Sequence, residues 1–349
     1  MKTSTGPGRE VCPWEVTEDS EDEEDWVFSS VRLYQQLHMF QLSLTPSQLA
    51  LSPDGCHLAL ADSGRAHLEV YRLPGKLVAA SEEEEGLTSN RDFQLVCGTV
   101  ESPAVSSLQY LGRRGLVTTS RDSQAVSLWS WEAGEDLLQL SREINTGGFQ
   151  PRAVEVAGQD RLVVWGENCL ASTDLTGLGL ESRRVGGEIE AVMTEGSVSW
   201  CLDSRGDLSS LDWRQATSEF HHNIHQGRAG RALAQSCFFK LGASSFLAGH
   251  SPSELSLSLW DLRSSRPVQE VSLASPGGQI VADSEGGLVL SQGPRVSVFS
   301  HSLQPVFSHQ AHRADISCLL THPAVRNLVI SADRNKRLQA WVHNTPHLT

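Results

Sequence analysis

The sequence predicts an all-β chain folded as a single seven-bladed β-propeller, and three observations carry that expectation. The first is residues 314–341, ADISCLLTHPAVRNLVISADRNKRLQAW. A short apolar run (316–320) leads into a His-Pro turn and a second β run (328–331). A polar turn (333–336) follows, then a last run ending on Trp341, which together read as three antiparallel strands. The second observation is recurrence. Comparable third strands end at Tyr71, Trp129, Thr173, Leu211, Trp260, Phe299 and Trp341, spaced 58, 44, 38, 49, 39 and 42 residues apart. Most of these intervals lie near the ~40–45-residue period of a propeller blade. The third is composition: 39% hydrophobic residues, 29 Gly, 14 Pro and only three Met suit strands broken by turns. One such unit cannot bury both faces alone, so several must close a ring.

In chain order, residues 1–25 are polar and acidic and are expected to form a disordered tail. Such a tail is either solvated or a lure for a basic partner. From Asp25 the character changes to DWVFSSVRLYQQLHMF, in which Val27, Val31, Tyr34 and Leu37 recur at three- and four-residue steps. That spacing predicts an amphipathic helix over 26–37, with Asp25 as its cap and the preceding acids at its positive end. The helix either packs on the propeller wall or presents Trp26, Phe28, Arg32 and Tyr34 to a partner, since aromatics and Arg dominate interface energies. Residues 38–44 (HMFQLSL) look extended, and are expected to give the last blade its outermost strand and so close the ring.

The propeller is expected to span 38–345. Blade one contains the turn Pro53-Asp54-Gly55, blade three is degenerate, and blade five ends SLSLWDLR. The two long intervals hold the acidic run at 82–85 and the His-rich stretch at 221–225.

Charge argues against a nucleic-acid binder. The net charge is −14, and half of it comes from the first 25 residues, where nine acids face only Lys2 and Arg9. The rest of the chain is close to neutral and offers no basic surface for phosphates. No run approaches the ~18 apolar residues of a membrane helix, and the opening MKTSTGPGREVCPWE lacks the apolar core of a secretory signal. The seven Cys are scattered, with no CxxC pair, as expected of reduced thiols in a cytoplasmic protein. A closed ring needs no self-association, so a monomer is expected.

Catalytic spacings fail one by one. Gly249-His250-Ser251-Pro252-Ser253 begins like a nucleophile elbow, but a serine stands where the closing glycine belongs. Gly177-Leu178-Gly179 has no third glycine at Ser182. With four lysines and no GxxxxGK, a phosphate loop is not expected, and there is no HExxH. His221, His222 and His225 form the one tight histidine cluster; on a helix His221 and His225 would share a face, but no Cys completes a metal set. No catalytic residue, cofactor or metal is therefore expected.

These units resemble the WD40-repeat β-propeller family. Trp260-Asp261 matches its Trp-Asp dipeptide, and His312 stands where its repeats carry a loop histidine. The resemblance implies a buried His–Ser–Asp–Trp network, whose members in blade seven would be His312, Ser331, Asn335 and Trp341, with Asn335 in the place of the usual Asp. Most other blades lack the full set. Asp25-Trp26, Arg32-Leu33-Tyr34-Gln35, Arg91-Asp92-Phe93, Thr321-His322-Pro323 and Ser331-Ala332 are similar to a WD-repeat subfamily associated with the Integrator complex. That similarity implies a non-catalytic cytoplasmic assembly factor holding the RNA endonuclease pair of that complex, together with a HEAT-repeat partner, before nuclear import. It also implies an association with spindle poles and microtubules. A generic substrate adaptor, such as a ubiquitin-ligase receptor, is the alternative.

Overall fold

The computed structural model describes residues 42–62, 67–74, 93–99, 102–158, 160–204, 207–215, 235–241, 244–251, 255–262, 267–283 and 286–342. The expected tail at 1–25, the helix at 26–37 with Trp26, Phe28, Arg32 and Tyr34, and the histidines at 221–225 lie outside these residues.

Seven antiparallel sheets follow one another along the chain, each built from strands consecutive in sequence. Blade one is typical: Gln48–Leu51, His57–Asp62, His67–Arg72 and Gln94–Gly98 run from the inside of the ring outward. The first strands of the seven blades are Gln48–Leu51, Val105–Tyr110, Ala153–Ala157, Ile189–Glu195, Gln235–Leu241, Ile280–Ala282 and Ile316–Thr321. Each touches the first strand of the next, and the seventh touches the first, so the ring closes. This is a seven-bladed β-propeller.

The core lies between blades. Seven apolar clusters among the described residues each straddle one seam between neighbouring sheets. That placement explains the composition of the second strands. His57–Asp62 (HLALAD), Arg161–Gly166 (RLVVWG) and Leu328–Asp333 (LVISAD) are buried along nearly their whole length, because a neighbour covers each face. A strand covered on both sides needs no polar alternation. The fourth strands, by contrast, form the rim: Gln139–Asn145 and Glu181–Arg184 are largely exposed and charged.

All seven residues expected near the ends of third strands fall within third strands. Blade four nevertheless differs in detail. In blade seven the Trp341 indole N–H donates to Ser331 (3.4 Å), and in blade two Trp129 donates to Thr118 (2.9 Å). The same bond in blade four is made by Trp213 to Ser199 (2.8 Å), two residues beyond Leu211. The order there is Asp212-Trp213, the reverse of the dipeptide in blade five, and the reversal hid the equivalence.

An innermost strand has one edge without a ladder, and its free N–H groups need acceptors. The neighbouring blade supplies them. Gln109 Oε1 accepts from Val156 N–H (3.0 Å), Glu155 Oε1 from Thr194 N–H (3.0 Å), and Gln279 Oε1 from Leu319 N–H (2.6 Å). Two of these three stitches use an uncharged amide. Glu155 performs the same task with a carboxyl whose Oε2 is buried without a partner. Burial pushes its pKa upward, although the hydrogen bonds from Thr194 act the other way. A raised folded-state pKa means that the ionised form is disfavoured, so folding is penalised as pH rises above the ordinary value of 4.5. Glu155→Gln keeps the acceptor and removes the charge. It is expected to raise Tm by about 2 °C at pH 7, with the gain vanishing as pH falls below 4.5. Thermal melts of both proteins across pH 4–7 check this.

Candidate functional site: the closing seam and the face between blades one and two

Between blades seven and one the ring closes on residues far apart in sequence, and residues 42–47 sit in that joint. Leu42 and Leu44 are buried among Leu328, Ile330, Leu338 and Ala340 of blade seven and Leu58, Leu60 and Tyr71 of blade one. Polar contacts fix the same segment from both sides. Lys336 Nζ donates to the Ser43 carbonyl (2.9 Å) and Ser317 Oγ to the Pro46 carbonyl (2.6 Å), both from blade seven. From blade one, Asp62 accepts from Thr45 N–H (3.1 Å), and Ser43 Oγ donates to Glu69. Glu69, itself buried, also receives the Tyr71 hydroxyl (2.8 Å).

A second latch crosses the seam directly. His322 Nδ1 accepts from Val325 N–H (2.8 Å) and Ala324 N–H (3.1 Å), which leaves Nε2 to carry the proton and donate to the Gly55 carbonyl (3.0 Å). Gly55 has φ +69°, and a Cβ there would overlap the His322 ring, so only glycine fits. The turn at 53–55 and the segment Thr321-His322-Pro323 are thus two halves of one joint.

Behind this seam lies the hydrogen-bonded relay of blade seven. The Trp341 indole donates to Ser331 Oγ, whose hydroxyl donates to His312 Nε2 (2.8 Å); His312 Nδ1 then donates to Asp333 (3.2 Å). The carboxylate in this network belongs to Asp333. Asn335, expected in that place, is exposed and takes part through its backbone N–H, which donates to Asp333 Oδ1 (2.9 Å); Arg337 N–H does the same (3.0 Å). The carboxylate therefore stands at the end of the second strand, with the turn folded over it. Burial alone would raise the Asp333 pKa, but the His312 bond and the two backbone N–H groups hold it below the usual carboxylate value. The Ser–His–Asp order is that of a hydrolase triad. Here, however, Ser331 and Asp333 are both 0% exposed, so the relay ties strands together rather than meeting a substrate. In blade five, Trp260 is buried against Leu202, Leu208 and Leu247 at the seam with blade four, and Asp261 follows at the strand end. Among the described residues no group of three or more His, Cys, Asp or Glu is arranged to hold a metal. Among the same residues no helix is long and apolar enough to cross a membrane.

A cavity of about 400 Å³ opens between blades one and two. It lies at the end of the blades that carries the turns between first and second strands and the connections between third and fourth. Its floor is the buried Trp131 ring, edge-on to His57 (6.4 Å between centroids) and Tyr110 (6.3 Å). Its charged lining comprises Arg72, Arg113 and Arg114 together with Asp54, Glu132, Glu135 and Asp136. Leu95, 57% exposed, also lines it. Two polar atoms near the floor, His57 Nδ1 and the Tyr110 hydroxyl, are buried without a partner. Burial, with help from Arg72 and Arg114, lowers the His57 pKa despite the opposing pull of Asp54, so the ring is neutral at pH 7.

No protein-family model matches the chain. Two curated relatives are similar to it: Integrator complex assembly factor WDR73 of Danio rerio, 24% identical over 161 residues (45% of this chain, 42% of the relative), and its namesake in Mus musculus, 29% identical over 124 residues (35% and 33%). The matched stretch thus spans less than half the length of either relative. Among solved structures, Sqt1 of Saccharomyces cerevisiae superposes with a TM-score of 0.61 at 14% identity, covering 85% of this chain and 83% of that one. The chain has a seven-bladed WD40-type β-propeller fold, and part of its sequence is similar to that of Integrator complex assembly factors.

Proposed function

We propose that this protein is a non-catalytic scaffold that assembles part of the Integrator complex. The similarity to assembly factors of that complex in two vertebrates carries the reading. The fold supports it: a closed propeller is a rigid body with a wide rim and two loop-bearing faces, suited to holding large partners without chemistry. The partners in this proposal are the two RNA endonuclease subunits, held in the cytoplasm with a HEAT-repeat protein until nuclear import; a second association, with spindle poles and microtubules in mitosis, belongs to the same proposal. In this proposal the segment bearing Trp26, Phe28, Arg32 and Tyr34 contributes to the contact, since aromatics and Arg dominate interface energies.

Affinity capture from cytoplasmic extract, read by mass spectrometry, tests this. The full chain should retain the endonuclease subunits. Trp26→Ala/Tyr34→Ala should lose most of them with an unchanged melting curve. Ligase subunits in place of Integrator subunits would instead favour a ubiquitin-ligase adaptor.

A further inference from the structure

Five cations gather over blades six and seven, on the side of the ring where second strands turn into third strands. Arg334, Lys336 and Arg337 occupy that turn in blade seven, between Leu328–Asp333 and Leu338–Val342. Arg313 lies in the link that leads from blade six into Ile316–Thr321. Hydrogen bonds hold link and turn side by side: Arg334 N–H donates to the Asp315 carbonyl (3.1 Å), and the His312 ring to Asp333 (3.2 Å). Arg295 joins them from the matching turn of blade six. There His312 N–H donates to the Pro294 carbonyl (3.0 Å) and Ile316 N–H to the Gly293 carbonyl (2.9 Å). The four arginines are exposed and Lys336 is half-buried.

Little opposes this charge. Asp315 is the one exposed acid in the link and the two turns, and Asp333 lies buried beneath, turned to His312. Across residues 42–47, Asp62 and Glu69 of blade one are buried and engaged by Thr45 and Ser43. Among the described residues none of the five cations has a carboxylate within ion-pair distance. The near-neutral balance of the body hides the patch, whose members come from three stretches of chain.

The occupant it fits is tied beside it. The described chain begins at Leu42, and the Ser43 carbonyl accepts from Lys336 Nζ itself (2.9 Å). Residues 1–25 carry nine acids against Lys2 and Arg9, and seven of those acids fall within 18–25. Residues 26–42 connect that run to the patch, a length that spans about 20–25 Å at coil dimensions. A segment tethered so near a complementary surface meets it at an effective concentration on the order of millimolar, an advantage no free partner has. Guanidinium groups take carboxylates through paired N–H donors, so the match is one of chemistry as well as sign.

We propose that the acidic run 18–25 docks on the patch formed by Arg295, Arg313, Arg334, Lys336 and Arg337, and so shields this face from other anionic segments. The inference goes beyond the assembly reading and holds whichever partners the scaffold carries.

The test compares the full chain with two full-length variants: one with the seven acids of 18–25 replaced by Gln or Asn, and Arg334→Glu/Arg337→Glu. Melting curves establish that each is folded. Lys336 is one of only four lysines, so zero-length carbodiimide coupling reads out which lysine the acids meet. In the parent at low salt, peptides spanning 18–25 should couple to Lys336. The yield should fall about tenfold at high salt and in Arg334→Glu/Arg337→Glu, where Lys336 is untouched. A fluorescent poly-glutamate peptide probes the uncovered patch. It should bind the tail variant about tenfold more tightly than the parent, and the gain should vanish when Arg334→Glu/Arg337→Glu is added. Should the arginine variant fail to fold, the probe's affinities for the parent and the tail variant decide alone. Equal coupling in the parent and the folded arginine variant would overturn the proposal, as would equal probe affinity for the parent and the tail variant. Oligo-dT binding as tightly to the parent as to the tail variant would overturn it too, because the patch would then stand open to nucleic acid.

Discussion

Replacing Asp333 by alanine is expected to cost about 3–5 kcal/mol, the largest loss of any single side chain in blade seven. The carboxylate is wholly buried and serves three donors: the His312 ring and the backbone N–H groups of Asn335 and Arg337. Alanine leaves all three without an acceptor, and His312 no longer orients Ser331 for the Trp341 indole. Asp333→Asn keeps an oxygen for the turn and should lose roughly half as much. The pH dependence separates the two contributions. Because the folded protein holds the Asp333 pKa below 3.8, its charge stabilises the fold above that value, and the benefit disappears as pH falls through the lowered one. The acid limb of the stability curve should therefore be flatter for Asp333→Asn than for the parent. Urea melts from pH 2 to 7 measure both effects.

Leu44→Ala is expected to cost about 2–5 kcal/mol, although the residue lies near the start of the described chain rather than in a ladder strand. Leu44 is 1% exposed and touches both sides of the closing seam. Every other seam joins blades that follow one another in sequence. This one depends on residues 42–47 and on the His322–Gly55 latch, whose halves are 267 residues apart. A cavity there loosens the one joint that chain continuity does not support. Leu178, 73% exposed, is the control, and its replacement by alanine should change stability by less than about 0.5 kcal/mol. Denaturant midpoints at constant m compare the two.

The architecture was legible because a propeller writes its period into the sequence. Apolar second strands and aromatic third-strand ends recur at blade length, and Trp129, Trp260 and Trp341 mark their blades. What escaped were residues whose roles arise between blades. Gln109, Gln279 and Glu155 look like ordinary polar positions until the next blade's N–H groups come to meet them. His322 stood out only as part of a resemblance; its bond to Gly55 joins residues far apart in sequence across the seam where blade seven meets blade one. Asp333 lost its place to Asn335 because counting back from the tryptophan cannot tell which turn residue ends the strand facing His312. The cavity over Trp131 had no signature in sequence, since Arg72, Arg114 and Leu95 come from two different blades.

The most direct measurement of the central claim is sedimentation of the purified full chain with the purified pair of Integrator endonuclease subunits. The scaffold account predicts a stoichiometric complex that resists dilution to nanomolar concentration, formed without nucleotide or metal supplied to this chain. Separate boundaries for the propeller and the endonuclease pair at micromolar concentration, with both partners folded, would contradict it.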